Sequence, residues 1–319
     1  MLDTLAVIAP IFLVIGLGFC AVRWGWFAAA GLPALGGFVI RFSLPALLFN
    51  ALARRSFAEV MNPNYLAAYA AGSLLAMGAG LAWALGWKRL PLPAAAIASM
   101  GMCCANTAFV GFPVALQVVG PEASVALALS MMVENLLMIP LCLALADTGS
   151  GHDGGGGRRF WSAFGKALAG LPRNPIIVAI AVGFMFAMLQ WRLPAPVART
   201  VDMLAAASAA AALFYVGGML AGLSLRSMAA DAAAVSVGKL VLHPLATAGA
   251  LWTFGPVSPG LATAAVLMAG APMLGVYAIF GQKHGQQHAC AARMLVATTA
   301  SFVTLALLIG LLRQAAPAG

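Results

Sequence analysis

The chain has 319 residues, 63% of them hydrophobic and only 8% charged, with 17 Lys and Arg against 8 Asp and Glu for a formal net charge of +9. A soluble domain carries about 25% charged residues to wet its surface; with so few here, and a mean hydropathy of +0.99, lipid is the solvent of most of this chain. That excludes a soluble enzyme. It also excludes a nucleic-acid binder despite the pI of 9.9, because the cations are strung singly between apolar runs instead of gathered on a wet face.

Ten apolar segments follow one another, at about 4–22, 31–53, 64–86, 93–118, 121–147, 174–191, 200–223, 232–254, 260–281 and 288–312, each of a length that suits a membrane-spanning helix. The first does not read as a signal peptide: it carries Asp3 and no cation ahead of a long apolar run, and Arg23 follows. The bias of Lys and Arg between segments predicts the orientation. With the N-terminus outside, ten cations fall in cytoplasmic gaps (Arg23, Lys88, Arg89, Arg158, Arg159, Lys166, Arg173, Arg226, Lys283, Arg293) and five outside (Arg54, Arg55, Arg192, Arg199, Arg313). Both termini are then outside, and Arg54-Arg55 is a pair on the unfavourable side.

The longest gap, 148–173, holds a Gly-rich run at 149–157 followed by basic residues, and reads as a flexible cytoplasmic linker. It divides the chain into a first repeat at 1–147 and a second at 174–319, with five segments in each. Five is odd, so the second half crosses the membrane in the opposite sense. Pro91-Leu92-Pro93 before the fourth segment matches Pro256-Val257-Ser258-Pro259 before the ninth, and both segments carry a Gly/Pro interruption near the middle. The expected fold is all-α: ten transmembrane helices in two inverted five-helix repeats. Broken helices in corresponding positions of inverted repeats point to a secondary transporter with its site near the midplane.

The interruptions are Asn106-Thr107-Ala108-Phe109-Val110-Gly111-Phe112-Pro113 and Gly270-Ala271-Pro272-Met273-Leu274-Gly275. Proline lacks an N–H and clashes with the carbonyl four residues back. In hydrocarbon the freed backbone groups survive only where protein or a water-filled cavity satisfies them. Either break alone reads as a packing kink; the pair, with the Asn106 amide beside one of them, reads as a site. Half-helix N-termini would favour an anion there. Tyr277, two residues past Gly275, either lines the path or packs as an ordinary aromatic.

Asn106-Thr107-x-x-x-Gly111-x-Pro113 resembles the Asn-Thr-x-x-x-Gly-x-Pro stretch of the auxin efflux carrier family, which includes bacterial malonate and malate carriers and the plant auxin carriers. Ser43-Leu44-Pro45-Ala46-Leu47-Leu48-Phe49 is similar to that family's Leu-Pro-Ala-Leu-Leu-Phe signature, and Lys239-Leu240-Val241-Leu242-His243-Pro244 to its Lys-Leu run before a proline. The resemblance spans the whole chain. It implies that helices four and nine cross at their prolines, that an elevator-like unit moves against a scaffold, and that Asn106, Gly111, Pro113 and Pro272 lie at the crossover where substrate binds. Thr107, Gly275 and Tyr277 complete the candidate substrate site. The ninth segment lacks an amide matching Asn106, and the central loop is short beside that of the plant carriers.

Ionisable groups at membrane depth cost about 2.5–3.5 kcal/mol each on insertion scales, which makes them functional candidates. Glu134, mid-way along segment five, reads either as a proton acceptor partnered by Asn135 or as half of a structural ion pair. Lys239 reads as snorkelling to the cytoplasmic interface or, through the resemblance, as a counter-charge; Glu134, Asn135 and Lys239 are the ion-coupling candidates. His243 reads as a packed histidine, Arg41 as a carboxylate attractor or a partner for Glu134, and Asp202 as a helix N-terminal acid. The five cysteines have no C-x-x-C or Cys/His ligand spacing, so no metal, cofactor or disulfide is expected. The expected function is secondary active transport of small mono- or dicarboxylates by alternating access, without ATP since no Walker motif occurs. The alternative is a channel or a ligand sensor; an enzyme would need catalytic spacings that are absent. The expected setting is the bacterial inner membrane, with H+ or Na+ as coupling ion, lipid as surroundings and a homodimer among the assembly options.

Overall fold

The computed structural model describes residues 2–148, 156–221 and 230–315. The elements among them are helices: α1 (Leu2–Arg23), α2 (Ala29–Ala53), α3 (Pro63–Trp87), α4 (Leu92–Cys103), α5 (Thr107–Val119), α6 (Glu122–Thr148), α7 (Gly156–Ala169), α8 (Pro175–Leu189), α9 (Ala195–Ala221), α10 (Ala232–Phe254), α11 (Pro259–Gly270), α12 (Tyr277–Gln282) and α13 (Gln287–Ala315). Six of these, α2, α3, α6, α9, α10 and α13, are long and apolar enough as single helices to cross a bilayer. The sequence explains where several begin. Asn62, Asn174 and Ser258 each accept a hydrogen bond from a backbone N–H two or three residues on, and a proline follows each cap. Proline at the first helical position loses only an N–H that had no partner there.

Four prolines inside the bundle are absorbed in one recurring way. A π turn covers Val39–Ser43, Thr107–Gly111, Glu134–Met138 and Gly238–Leu242, and each ends two residues before a proline: Pro45, Pro113, Pro140 and Pro244. The carbonyl that a proline ring repels is the one four residues back, which falls within the π turn in every case. Widening the turn by one residue frees that carbonyl without breaking the helix. Pro45 is therefore a bulge in a continuous α2.

Three long contacts organise the bundle: α1 along α9, α8 along α2, and α3 along α10. Small residues allow the close approach that drives helix association in lipid. Gly18 faces the Phe214 carbonyl and Gly217 the Ile15 carbonyl, each too close for a side-chain carbon, and a Cβ on Gly72 would lie 2.6 Å from Cα of Thr247. The helices α1, α2, α8 and α9 form one group, and α3–α6 with α10–α13 a second. Gly18→Ala is expected to lower the melting temperature of the detergent-purified protein by several degrees, since overpacking costs about 1–3 kcal/mol. Gly16→Ala on the same helix, where nothing lies within 4 Å, is expected to leave it unchanged; equal melting of the two variants would refute this packing.

The two ends of α6 mark the two faces of the bundle. At one end Lys283 donates to both Asp147 oxygens at 2.7 and 2.8 Å, and His284 lies 3.3 Å away. At the other, Ser258 donates to Glu122 at 3.2 Å. Some sequence expectations need correction. The linker at 148–173 is helical over Gly156–Ala169, where Phe160, Phe164 and Leu168 recur at helical spacing opposite Arg158, Ser162 and Lys166; α7 and the turn after it meet α8 at a 66° bend. The Gly-rich part at 149–155 and Arg226 lie outside the described residues. Arg293 is not a loop cation: it sits inside α13, 1% exposed. Asp202 caps nothing, because α9 begins at Ala195; it accepts from Asn50 at 2.7 Å and pairs with Arg54. Arg41 is exposed while Glu134 is buried with other partners, so the two do not pair.

Candidate functional site

Helix α4 stops at Cys103 and α11 at Gly270, and each chain then runs extended: Cys104 has φ −102° and ψ 123°, Ala271 φ −65° and ψ 152°. The two unwound stretches meet antiparallel. Ala105 and Met273 form an isolated β-bridge, and the Asn106 N–H donates to the Pro272 carbonyl at 2.7 Å. This satisfies backbone groups that hydrocarbon could not. Gly111 lets α5 close on α11: a Cβ there would lie 2.9 Å from Sδ and 3.3 Å from Cα of Met268. Asn106 caps α5, its Oδ1 accepting from the Phe109 N–H at 3.3 Å. Its amide nitrogen is the nearest side-chain group to Gly275, 4.0 Å from where a Cβ would stand.

Beside the crossing lies a cavity of about 160 Å³. The α3–α6 and α10–α13 group contributes Asn106, Thr107, Glu134, Asn135 and Gly275; the other group closes it with Ile40, Leu44, Ile176 and Tyr215. Glu134 is the cavity's carboxylate, at the start of the π turn in α6. Its Oε1 accepts from the Tyr69 hydroxyl at 3.1 Å and the Ala105 N–H at 3.0 Å, and its Oε2 accepts from the Thr107 hydroxyl at 3.0 Å. The carboxylate thus holds the unwound end of α4 and the first residue of α5 together. Asn135 donates to the Met131 carbonyl at 2.9 Å and accepts from Asn174 of α8 at 3.4 Å, a polar tie between the two groups.

Lys239 does not snorkel. It is fully buried at the π turn of α10, donating to the Ala269 carbonyl at the end of α11 and to Nδ1 of His243 at 2.8 Å. That leaves Nε2 of His243 to donate to Ser73 Oγ at 2.9 Å. The ammonium neutralises the partial negative charge that gathers on the last carbonyls of a helix. The edge of the His243 ring meets Tyr69, with centroids 5.8 Å apart, so Tyr69 touches both the Glu134 and the Lys239 clusters.

Of the sequence candidates, the structure brings Asn106, Thr107, Gly275, Glu134 and Asn135 to the cavity, and Gly111 and Pro272 to the crossing beside it; Pro113 lies further along α5, so the first stretch crosses at Ala105 and Asn106 and not at its proline. Lys239 and Tyr277 are set apart from the cavity lining. Tyr277 is fully buried against α4, its hydroxyl donating to the Ile97 carbonyl at 2.8 Å and accepting from Arg293 at 3.2 Å. Sequence reasoning missed Tyr69 and Tyr215. A hydroxyl on Tyr65 and again on Tyr69, one helical turn apart in an apolar run, was the available signal for the first. It also missed that Cys103, Cys104 and Cys142 gather with their sulfur atoms within 4.8 Å of one another, as free buried thiols.

Helices long enough to span lipid, and two interrupted ones joined at their breaks, are the marks of a membrane transporter. A profile of the family described as membrane transport protein matches residues 4–309, and the chain belongs to that family, the one that contains the auxin efflux carriers. It is 26% identical over 318 residues to a protein of Rhizobium meliloti (strain 1021) named "Putative malonate transporter", covering 99% of this chain and 98% of that relative.

Proposed function

We propose that the chain is a secondary active transporter of small organic anions, mono- or dicarboxylates, working by alternating access. The observation that carries this reading is the antiparallel meeting of the two unwound stretches beside a cavity that contains the Asn106 amide. The first N–H groups of a helix have no partner within it and favour negative charge, so the start of α5 suits one carboxylate of the solute, with the Asn106 amide as a further donor. The cavity of about 160 Å³ has room for a short-chain acid. The name of the Rhizobium relative agrees with a malonate-like substrate.

The architecture that serves this mechanism is ten spans in two inverted repeats, 1–147 and 174–319, with α4–α5 and α11–α12 as the broken spans. The packing supports it: α1 on α9 and α8 on α2 are the same contact with the repeats exchanged, and α3 on α10 exchanges into itself. The group α1, α2, α8 and α9 is the scaffold, and the group carrying the crossing is the unit that slides. The scaffold's cavity wall of Ile40, Leu44 and Ile176 is apolar and offers few hydrogen bonds to break on sliding. Both termini lie outside the cell membrane. Glu134 is the proton-carrying group, and Lys239 serves the crossing as a fixed cation.

Reconstituted vesicles preloaded with unlabelled malonate are expected to accumulate labelled malonate transiently above its equilibrium level. Uptake without such counterflow would identify a channel, and binding without uptake a sensor.

A further inference from the structure

Arg54 and Arg55 oppose the charge bias that orients membrane helices, and they stand at the face of the bundle opposite the basic helix α7. Two cavities, of about 500 and 510 Å³, share Asn50, Arg54 and Arg55 in their walls. The first adds Arg192 and Gln190 from the connection between α8 and α9. The second descends between the two helix groups along α2 to Leu47 and, across from it, to Phe112 of α5. Leu44, three residues further along α2, lines the crossing cavity. One face of α2 thus runs from the arginines to the site.

Charge in this vestibule is one-sided. Asp202 is the sole carboxylate in the described walls of either cavity, and Asn50 and Arg54 hold it. Arg55 and Arg192 bring two more guanidinium groups from separate elements, beside the donors of Asn50 and Gln190. Guanidinium forks match carboxylates geometrically and keep their charge at every physiological pH. A concave wall of one sign raises the local concentration of the opposite ion.

We propose that Arg54, Arg55 and Arg192 form a second anion station, a vestibule that captures a small dicarboxylate before it reaches the crossing. The assignment rests on reading the crossing as an organic-anion site. Asp202 holds Arg54 in place as the internal anion of the station, and Arg55 and Arg192 provide the capture.

Calorimetric titration of malonate into the detergent-purified full chain, at low and high salt, tests this. Asn106→Ala is expected to retain weak binding that fades as salt rises. The double variant Arg55→Gln with Arg192→Gln, with the crossing intact, is expected to bind about tenfold more weakly at low salt and to lose the salt dependence. The corresponding double lysine variant is expected to restore most of it. No malonate binding by Asn106→Ala, wild-type affinity and salt dependence in the double glutamine variant, or no recovery with lysine would each overturn the vestibule. Persistent salt-sensitive binding by Asn106→Ala, with no malonate uptake by wild-type vesicles, would instead refute the transport reading and leave the vestibule standing.

Discussion

Replacing Asn106 by alanine is expected to cut the initial rate of malonate uptake by about ten- to a hundredfold while the protein still inserts and purifies as wild type. The side chain holds two positions at once: its Oδ1 caps α5 through the Phe109 N–H, and its amide faces the cavity beside Gly275. Loss of a helix cap costs about 1 kcal/mol, and loss of a hydrogen bond to a charged solute about 1.5–3 kcal/mol. The first is small beside the burial around the crossing, and the backbone bond from Asn106 to Pro272 survives the substitution. Asn106→Asp separates the two roles, because a carboxylate caps as well as an amide but repels an anion. Aspartate is therefore expected to keep the cap and lose uptake as alanine does, with a lower melting temperature because it adds a second carboxylate to the cavity of Glu134. Wild-type uptake in either variant would remove Asn106 from the site.

Glu134→Gln is expected to flatten the pH dependence of uptake while permitting exchange of one malonate for another. The geometry makes this substitution unusually clean. A glutamine carbonyl can accept from Tyr69 and Ala105 as Oε1 does, and the Thr107 hydroxyl can reverse and accept from the new NH₂. The hold on the crossing is preserved, and what is removed is the group that can take up and release a proton. Exchange needs the sliding of the loaded unit alone, whereas net uptake coupled to protons needs that group to titrate. An unaltered pH profile with intact exchange would make Glu134 a structural clasp; loss of exchange together with loss of thermal stability would do the same.

The sequence made the breaks visible because proline and glycine have fixed backbone consequences, and it placed the long apolar helices because a lipid-facing surface leaves long apolar runs; the helix at Gly156–Ala169, polar along one side, read instead as a flexible linker. What it concealed were contacts between segments. Lys239 lies near a segment end, where a long cationic side chain ordinarily reaches for water; only the three-dimensional position of the end of α11 turns it inward to the Ala269 carbonyl. Arg293 reads as a cytoplasmic cation although it falls within the tenth apolar segment, because hydropathy cannot show that a buried phenol, here Tyr277, solvates its guanidinium. Tyr277 was drawn toward the site by its nearness to Gly275 in the chain, whereas the turn at 274–277 points its ring at α4. The cysteines are distant or adjacent in the chain without any ligand spacing, so their gathering follows from the packing of α4 on α6 alone.

The π turns ahead of Pro45, Pro113, Pro140 and Pro244 have an effect on more than strain. Each inserts one residue beyond the regular winding, so every position after it is rotated by about 100° about the axis relative to an unbroken helix. A helical wheel drawn straight through α2, α6 or α10 therefore assigns its second half to the wrong compass bearing. In α6 the residue at which the phase changes is Glu134 itself, so one rod shows one side to its neighbours above that carboxylate and a different side below it.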